Sequence, residues 1–325
     1  MADSAPQISV IIPTRNRADS LAITLDCLAS ANRDGIRVEV IVVNNGEPDP
    51  GIAVGFGARI PIRYLWTSSA GKGLALNCAL DAGALGDIIA ILDDDMSPLP
   101  DWFQGVIAIC QRWPDRDIFT GQTPVIWPLD AAPKWTEDSS VRGSILSSAV
   151  VQGDVPLEDG QWFSGNHWWF RSRVLTDDLK FKNIWLTEPD FQLNLIERGF
   201  SGMAGPDAVA GHRIQPALLE ESVVVNRAKK GGEKARVRLQ PYRKTVRQAR
   251  LFHAHPVLAR IFCILNQLRW RAEYFFNRLF LRGEQGFAKQ LVALERMAIA
   301  REYLRVASTQ SEYSVWKSSR SKARS

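Results

Sequence analysis

The stretch IIAILDDDMSPLPDWF, Ile88–Phe103, decides the fold. Ile88 to Leu92 are apolar, and Asp93, Asp94 and Asp95 follow at once. An apolar, β-branched run of this length reads as a strand buried on both faces. Three adjacent carboxylates cannot sit unpaired in a core. They are accommodated where a strand of an open α/β sheet ends, because the carboxyl ends of such strands open onto a ligand crevice.

Outward from this stretch, ISVII (Ile8–Ile12) is a second buried run, ending at Pro13. VEVIVV (Val38–Val43) is a third, ending at the turn signal Asn44-Asn45-Gly46. Arg63–Trp66 reads as a short strand, Ala18–Ala31 as the helix after the first strand, and Ala75–Ala84 as part of the helix before Ile88. From Ile118 to about Leu157, Pro and Gly break the pattern into mixed or antiparallel strands and loops. Pro189–Arg198 reads as a short helix stopped by Gly199. From about Glu220 the chain is helical and basic, interrupted at Pro241 and Pro256, and SSRSKARS at its end has the composition of disorder. The expected fold class is α/β, a mixed but mostly parallel sheet flanked by helices with a C-terminal helical extension. The expected boundaries are 1–220 (halves 1–115 and 116–220), a basic helical region 221–310 and a tail 311–325.

The 325 residues carry 40 basic and 35 acidic side chains, but unevenly. Residues 201–325 hold 24 Lys+Arg and 9 Asp+Glu, a net of +15, which leaves 16 basic and 26 acidic residues, a net of −10, in the first 200. A basic C-terminal part suits an anionic surface or a solvated helical face. No zinc-finger, helix-turn-helix or RNP pattern accompanies it, so no nucleic-acid partner is expected. Four scattered cysteines without C-x-x-C spacing fit a reducing compartment and argue against a cysteine zinc site. No apolar run reaches membrane-spanning length, and MADSAPQ lacks a secretory leader, so a cytoplasmic protein is expected. His255–Gly283 mixes large apolar residues with five arginines. It reads either as a peripheral contact at the inner face of the plasma membrane or as ordinary helical packing.

Alternation along an extended segment would point Asp93 and Asp95 the same way and Asp94 the opposite way. Two carboxylates side by side repel unless a cation neutralises them. Oxygen ligands suit Mg²⁺ or Mn²⁺, commonly shared with substrate phosphates. Asp-x-Asp at a strand end therefore suggests a metal–diphosphate site, the alternative being a loop of capping aspartates. Gly71-Lys72-Gly73 opens a helix, but its spacing matches neither a P-loop nor a dinucleotide-binding fingerprint.

The blocks ISVIIPTRNR, VEVIVVNNG, AGKGLALNCAL and IIAILDDDMSPLPDWF, in this order and spacing, resemble family 2 glycosyltransferases of the inverting type with the GT-A fold, over roughly residues 7–215. The resemblance implies a nucleotide-diphosphate sugar donor, a Mn²⁺ or Mg²⁺ ion, and a hydroxyl of a glycan or lipid-linked acceptor in polysaccharide or cell-surface glycan synthesis. It implies Asp95, Asp93 and His212 at the metal, with Arg213 as a phosphate partner. It implies Pro13, Thr14, Arg15, Arg17, Asn44, Asn45, Lys72, Asp93 and Asp94 along the donor. WFSGNHWWF resembles the segment before the catalytic carboxylate, so Trp162, Gly165, Asn166 and Trp168 are expected at the acceptor, with core packing the alternative for each tryptophan. EPDFQLNLIERG resembles the family's acidic block, where Glu188 stands as the catalytic base and Asp190 as its alternative. The basic segment Asn226–Arg238 resembles one that folds over the donor, the alternative being a solvated linker. Two other functions share these features: a retaining GT-A transferase, and a non-catalytic binding or scaffold protein. A nucleotidyltransferase would carry a Gly-rich signature that Pro13–Arg17 lacks.

Overall fold

The computed structural model describes residues 7–128, 132–158, 160–240, 247, 254–281 and 283–308. The expected interruption at Pro241 and the tail at 311–325 lie outside these residues. The chain forms two compact units, one of residues 1–126, 147–157 and 162–213, the other of 127–146, 158–161 and 214–325.

The first unit is built on strands β1 (Gln7–Thr14), β2 (Arg37–Asn44), β3 (Ile62–Trp66), β4 (Ile88–Leu92), β5 (Met96–Pro98), β6 (Ile118–Gln122), β7 (Val125–Ile126), β8 (Val155–Pro156), β9 (His167–Arg171) and β10 (Gly202–Arg213). The sheet order is β3-β2-β1-β4-β9-β6-β10-β5, and β7 and β8 also pair with β10. β3, β2, β1 and β4 are mutually parallel, whereas β9 runs antiparallel to both β4 and β6. Because side chains alternate across a sheet, Ile8, Val10 and Ile12 enter one core with Val40, Val42, Ala90 and Leu92. Ile11 enters the opposite core with Ile41, Val43, Ile89 and Ile91. Helices α1 (Ala18–Ser30), α2 (Gly51–Gly57), α3 (Lys72–Asp81) and α4 (Trp102–Arg112) connect the strands. Pro13 is tolerated inside β1 because the β1–β4 ladder ends at Ile11 and Ile91, so no bond on that side needs its missing N–H.

The second unit holds α5 (Ser139–Ile145), which the carboxylate of Asp138 caps, together with α7 (Glu221–Lys229), α8 (Gly232–Arg238), α9 (Pro256–Phe280) and α10 (Gly283–Ser308). α6 (Thr187–Glu197) belongs to the first unit. The expected donor-covering loop at Asn226–Arg238 is instead two helices. Gly231 and Gly232 join them where a Cβ would stand 2.5 Å from Glu295 Cγ and 3.1 Å from the Ala298 carbonyl of α10. Ion pairs from Lys234 to Glu295 and from Arg236 to Glu302 hold the same contact. The glycines allow close helix packing, and Lys234 and Arg236 are spent on acids of α10.

Candidate functional site

β1, β2 and β4 end at one edge of the sheet, and antiparallel β9 begins there. Leu92 lies opposite His167, and the Asp93 amide donates to the Asn166 carbonyl at 3.0 Å. β4 stops at Leu92, and Asp93–Asp95 turn, with the Met96 amide donating to the Asp93 carbonyl at 3.3 Å. Strand alternation therefore ends before the aspartates, and the expected pairing of Asp93 with Asp95 is corrected. Arg17 joins Asp94 and Asp95, at 2.6 and 2.9 Å. The Thr14 hydroxyl donates to Asp94 at 2.7 Å. Asp93 is turned to Lys72, at 2.5 Å.

Lys72 also pairs with Glu188, and its ammonium donates to the Gly165 carbonyl at 3.3 Å. Glu188 is buried in the first turn of α6. Gly165 makes room for it: a Cβ there would stand 2.8 Å from the Glu188 carboxyl carbon. Burial raises the pKa of Glu188, opposed by Lys72 and reinforced by Asp93. Burial works against the charge of Lys72, yet the two flanking carboxylates hold its pKa above the ordinary lysine value. Asp190 faces elsewhere: it pairs with Lys182 at 3.2 Å and accepts from Asn194 at 3.3 Å. The two acids that the sequence leaves as alternatives thus occupy different surroundings, and Glu188 shares Lys72 with Asp93.

Gly71 and Gly73 have an internal role. Gly71 takes φ +132°, a conformation that L side chains rarely adopt, and a Cβ on Gly73 would meet Thr187 Oγ1 at 2.7 Å. The glycines let the start of α3 press against the segment that leads into Glu188.

Asp95 lies beside His212 of β10, with Nε2 3.7 Å from Oδ1. That oxygen is buried and has no hydrogen-bond partner. Burial raises the Asp95 pKa, but His212 and Arg17 outweigh it and hold it below the usual carboxylate range. Burial pushes Asp94 up to about 6, against Arg17 and Thr14. Setting Asp93, Asp94, Asp95 and Glu188 against Arg17, Lys72 and Arg213 leaves one negative charge in excess, His212 aside. An unbonded carboxylate oxygen, an imidazole beside it and this excess charge fit a divalent cation completed by substrate oxygens. Among the described residues no three His, Cys, Asp or Glu side chains converge on one point, so Asp93 does not join Asp95 and His212 in a ready-made triad.

The backbone of the aspartate turn is clamped from α1 and β10. The Asp94 carbonyl accepts from Ser20 Oγ at 2.9 Å, Thr24 Oγ1 at 2.8 Å and Arg213 Nη2 at 3.0 Å. Arg213 also donates to the Ser20 carbonyl at 2.8 Å, to Ser97 Oγ at 2.7 Å and to the Met96 carbonyl. Arg213 was expected to meet a phosphate; in this structure it spends these donors on the protein. Ser20 and Thr24 were missed in the sequence. Their i, i+4 spacing beside Leu21 and Leu25 is the signal of a polar pair on a buried helix face.

Pro13 is buried in β1, Arg15 is exposed in the loop after it, and the Asn45 amide donates to the Thr14 carbonyl at 3.0 Å. The Asn44 side chain is committed to its turn: it donates to the Glu47 carbonyl at 2.6 Å and to Tyr64 at 3.1 Å, and accepts from the Gly46 amide at 2.8 Å. Trp162 is half-buried. Asn166 is buried and donates to the Ser147 carbonyl at 3.2 Å. Trp168 is corrected. It is 0 % exposed and packs with Phe170, Phe181 and Phe191, so it faces the core and no acceptor. Strand alternation in β9 puts Trp168 and Trp169 in opposite cores.

Residues 9–142 match the family model described as Glycosyl transferase family 2. The chain is 37% identical over 106 residues to chondroitin synthase of Escherichia coli, covering 31% of this chain and 15% of that protein. It is 30% identical over 139 residues to succinoglycan biosynthesis protein ExoM of Rhizobium meliloti (strain 1021), covering 40% of this chain and 42% of that one. The chain thus spans less than half the length of either relative. In structure it is similar to the mannosyltransferase PcManGT from Pyrobaculum calidifontis, solved in complex with GDP-Man and Mn²⁺. The TM-score is 0.59 at 17% identity, over 91% of this chain and 89% of that one. The sheet order and this likeness give the chain the GT-A glycosyltransferase fold, and its residues 9–142 match glycosyl transferase family 2.

Proposed function

We propose that the chain is a metal-dependent inverting glycosyltransferase. It moves a sugar from a nucleotide-diphosphate donor to a hydroxyl of a glycan or lipid-linked acceptor during polysaccharide synthesis. The observation that carries this reading is the buried Glu188 carboxylate, held through Lys72 against Asp93 at the edge where the aspartate turn ends β4. The family match, the two relatives named for polysaccharide synthesis and the fold shared with a transferase bound to GDP-Man and Mn²⁺ support it.

In this reading Glu188 accepts the proton of the acceptor hydroxyl as its oxygen attacks the anomeric carbon. The bond to the diphosphate breaks, and its electron pair leaves on the phosphate oxygen. A raised pKa makes a carboxylate a stronger base, and Lys72 keeps it ionised until the proton arrives. Asp95 and His212 would hold the divalent cation, which offsets charge on the departing diphosphate. Asp94, with Thr14 and Arg17, positions the turn, and Asp93 orients Lys72.

Calorimetric titration with GDP, UDP, CDP and dTDP, with and without Mn²⁺, on the wild type and on Asp95→Asn tests the proposal. The expected result is metal-dependent binding of one nucleotide, lost in a folded Asp95→Asn variant. A folded wild type that binds none of the four overturns it.

A further inference from the structure

α9 is built inside out. Its fully buried described side chains are small or polar, Ala259, Cys263 and Asn277, and Asn266, Gln267, Trp270 and Tyr274 are half-buried beside them. Its outward side is apolar. Ile261, Leu265, Leu268, Phe275, Phe276 and Leu279 are each between 50% and 68% exposed. Ile261, Leu265, Leu268, Ala272, Phe275 and Leu279 recur at steps of four and three, so they form one stripe along the helix. A stripe this long exposed to water demands a cover.

Charge says which cover. At 100° per residue, Arg260, Arg271 and Arg278 line one border of the stripe, and Arg269 lies on the other. Glu273 is the only acid on α9, and it is already 4.0 Å from Arg269. Four arginines against one glutamate give the helix a net charge of +3. A second copy docked by antiparallel two-fold symmetry would set Arg260, Arg271 and Arg278 against the same row of its partner, with no acid between them. An anionic bilayer surface satisfies both features: the stripe enters the acyl boundary while the bordering arginines meet headgroups. Spanning is excluded for the described helices, since none is long and apolar enough to cross a membrane.

We propose that α9 lies flat in the interface of an anionic membrane, its apolar stripe immersed and its arginine rows at headgroup level. This does not depend on the transferase reading. Co-sedimentation of the full chain with vesicles of pure phosphatidylcholine, and with vesicles about one-third phosphatidylglycerol, tests it. Leu265→Glu/Leu268→Glu is compared with the wild type, and so is Arg260→Gln/Arg271→Gln/Arg278→Gln. All the substituted residues are exposed, and circular dichroism confirms that each variant folds. The wild type should partition onto anionic vesicles about tenfold or more above neutral ones. The double-Glu variant should lose about tenfold or more of that binding, and the Gln variant should lose its preference for anionic lipid. Failure of the wild type to bind vesicles overturns the proposal, as does a double-Glu variant that binds like the wild type. A vesicle-free wild-type dimer that the double-Glu substitution turns into monomer also overturns it, by making the stripe a contact between copies.

Discussion

Replacing Arg213 with alanine separates a clamp from a ligand contact. Arg213 donates to the carbonyls of Ser20, Met96 and Asp94 and to the Ser97 hydroxyl. A hydrogen bond from a charged group contributes about 1.5–3 kcal/mol net. When Arg213 is removed the Asp94 carbonyl keeps Ser20 as a donor and the Met96 carbonyl keeps Thr24, and the half-buried side chain leaves space that water can enter. That reduces the effective loss to about two such bonds, or about 3 kcal/mol. With a urea m-value of about 2–3 kcal/mol/M, the midpoint of the tryptophan-fluorescence transition should fall by about 1–1.5 M. Arg213→Lys should recover part of this, because an ammonium cannot span acceptors that a planar guanidinium reaches together. A lysine variant that folds should keep its nucleotide affinity. A midpoint unchanged within about 0.2 M, together with weakened nucleotide binding, would refute the clamp and restore Arg213 as a phosphate partner.

Glu188→Gln should lower kcat about 10²- to 10⁴-fold while Asp190→Asn stays within about tenfold, and a reversed ranking in single-turnover assays would exchange the two residues' roles. His167 is fully buried, accepting from Trp102 Nε1 at 2.7 Å, and burial lowers its pKa to about 3. The folded state therefore binds fewer protons than the unfolded chain between about pH 6.5 and 3, so stability held above pH 6.5 is lost as pH falls through this window. The slope is about 1.4 kcal/mol per pH unit, and urea midpoints of His167→Gln measured from pH 7 to 4 should lack it. Equal slopes in the two proteins would remove His167 as the cause.

The strands were legible because burial on both faces leaves a compositional mark: Ile8–Ile12, Val38–Val43 and Ile88–Leu92 all appear as β1, β2 and β4. α6 and its stop at Gly199 were legible from periodicity and glycine, with φ +93° observed at Gly199. Residues whose partners are far along the chain were not legible. Nothing near Arg213 in sequence announces that it reaches Ser20 and Asp94, and nothing near Trp168 announces Phe181 and Phe191. The aspartates were misgrouped because alternation was carried three residues past the end of β4, where the backbone already turns. The different surroundings of Glu188 and Asp190 depend on Lys72, which sits 116 residues before Glu188 and pairs with it alone of the two.

The three hydrogen bonds accepted by the Asp94 carbonyl have a consequence for binding thermodynamics. A loop that a ligand must first immobilise costs about 1–2 kcal/mol of backbone entropy per residue. Here the Ser20 and Thr24 hydroxyls and Arg213 have already fixed the turn to α1 and β10. Whatever occupies the edge of this sheet meets aspartates whose backbone has little freedom left to lose. The calorimetric signature on the protein side should therefore be dominated by desolvation and charge, with a small ordering contribution.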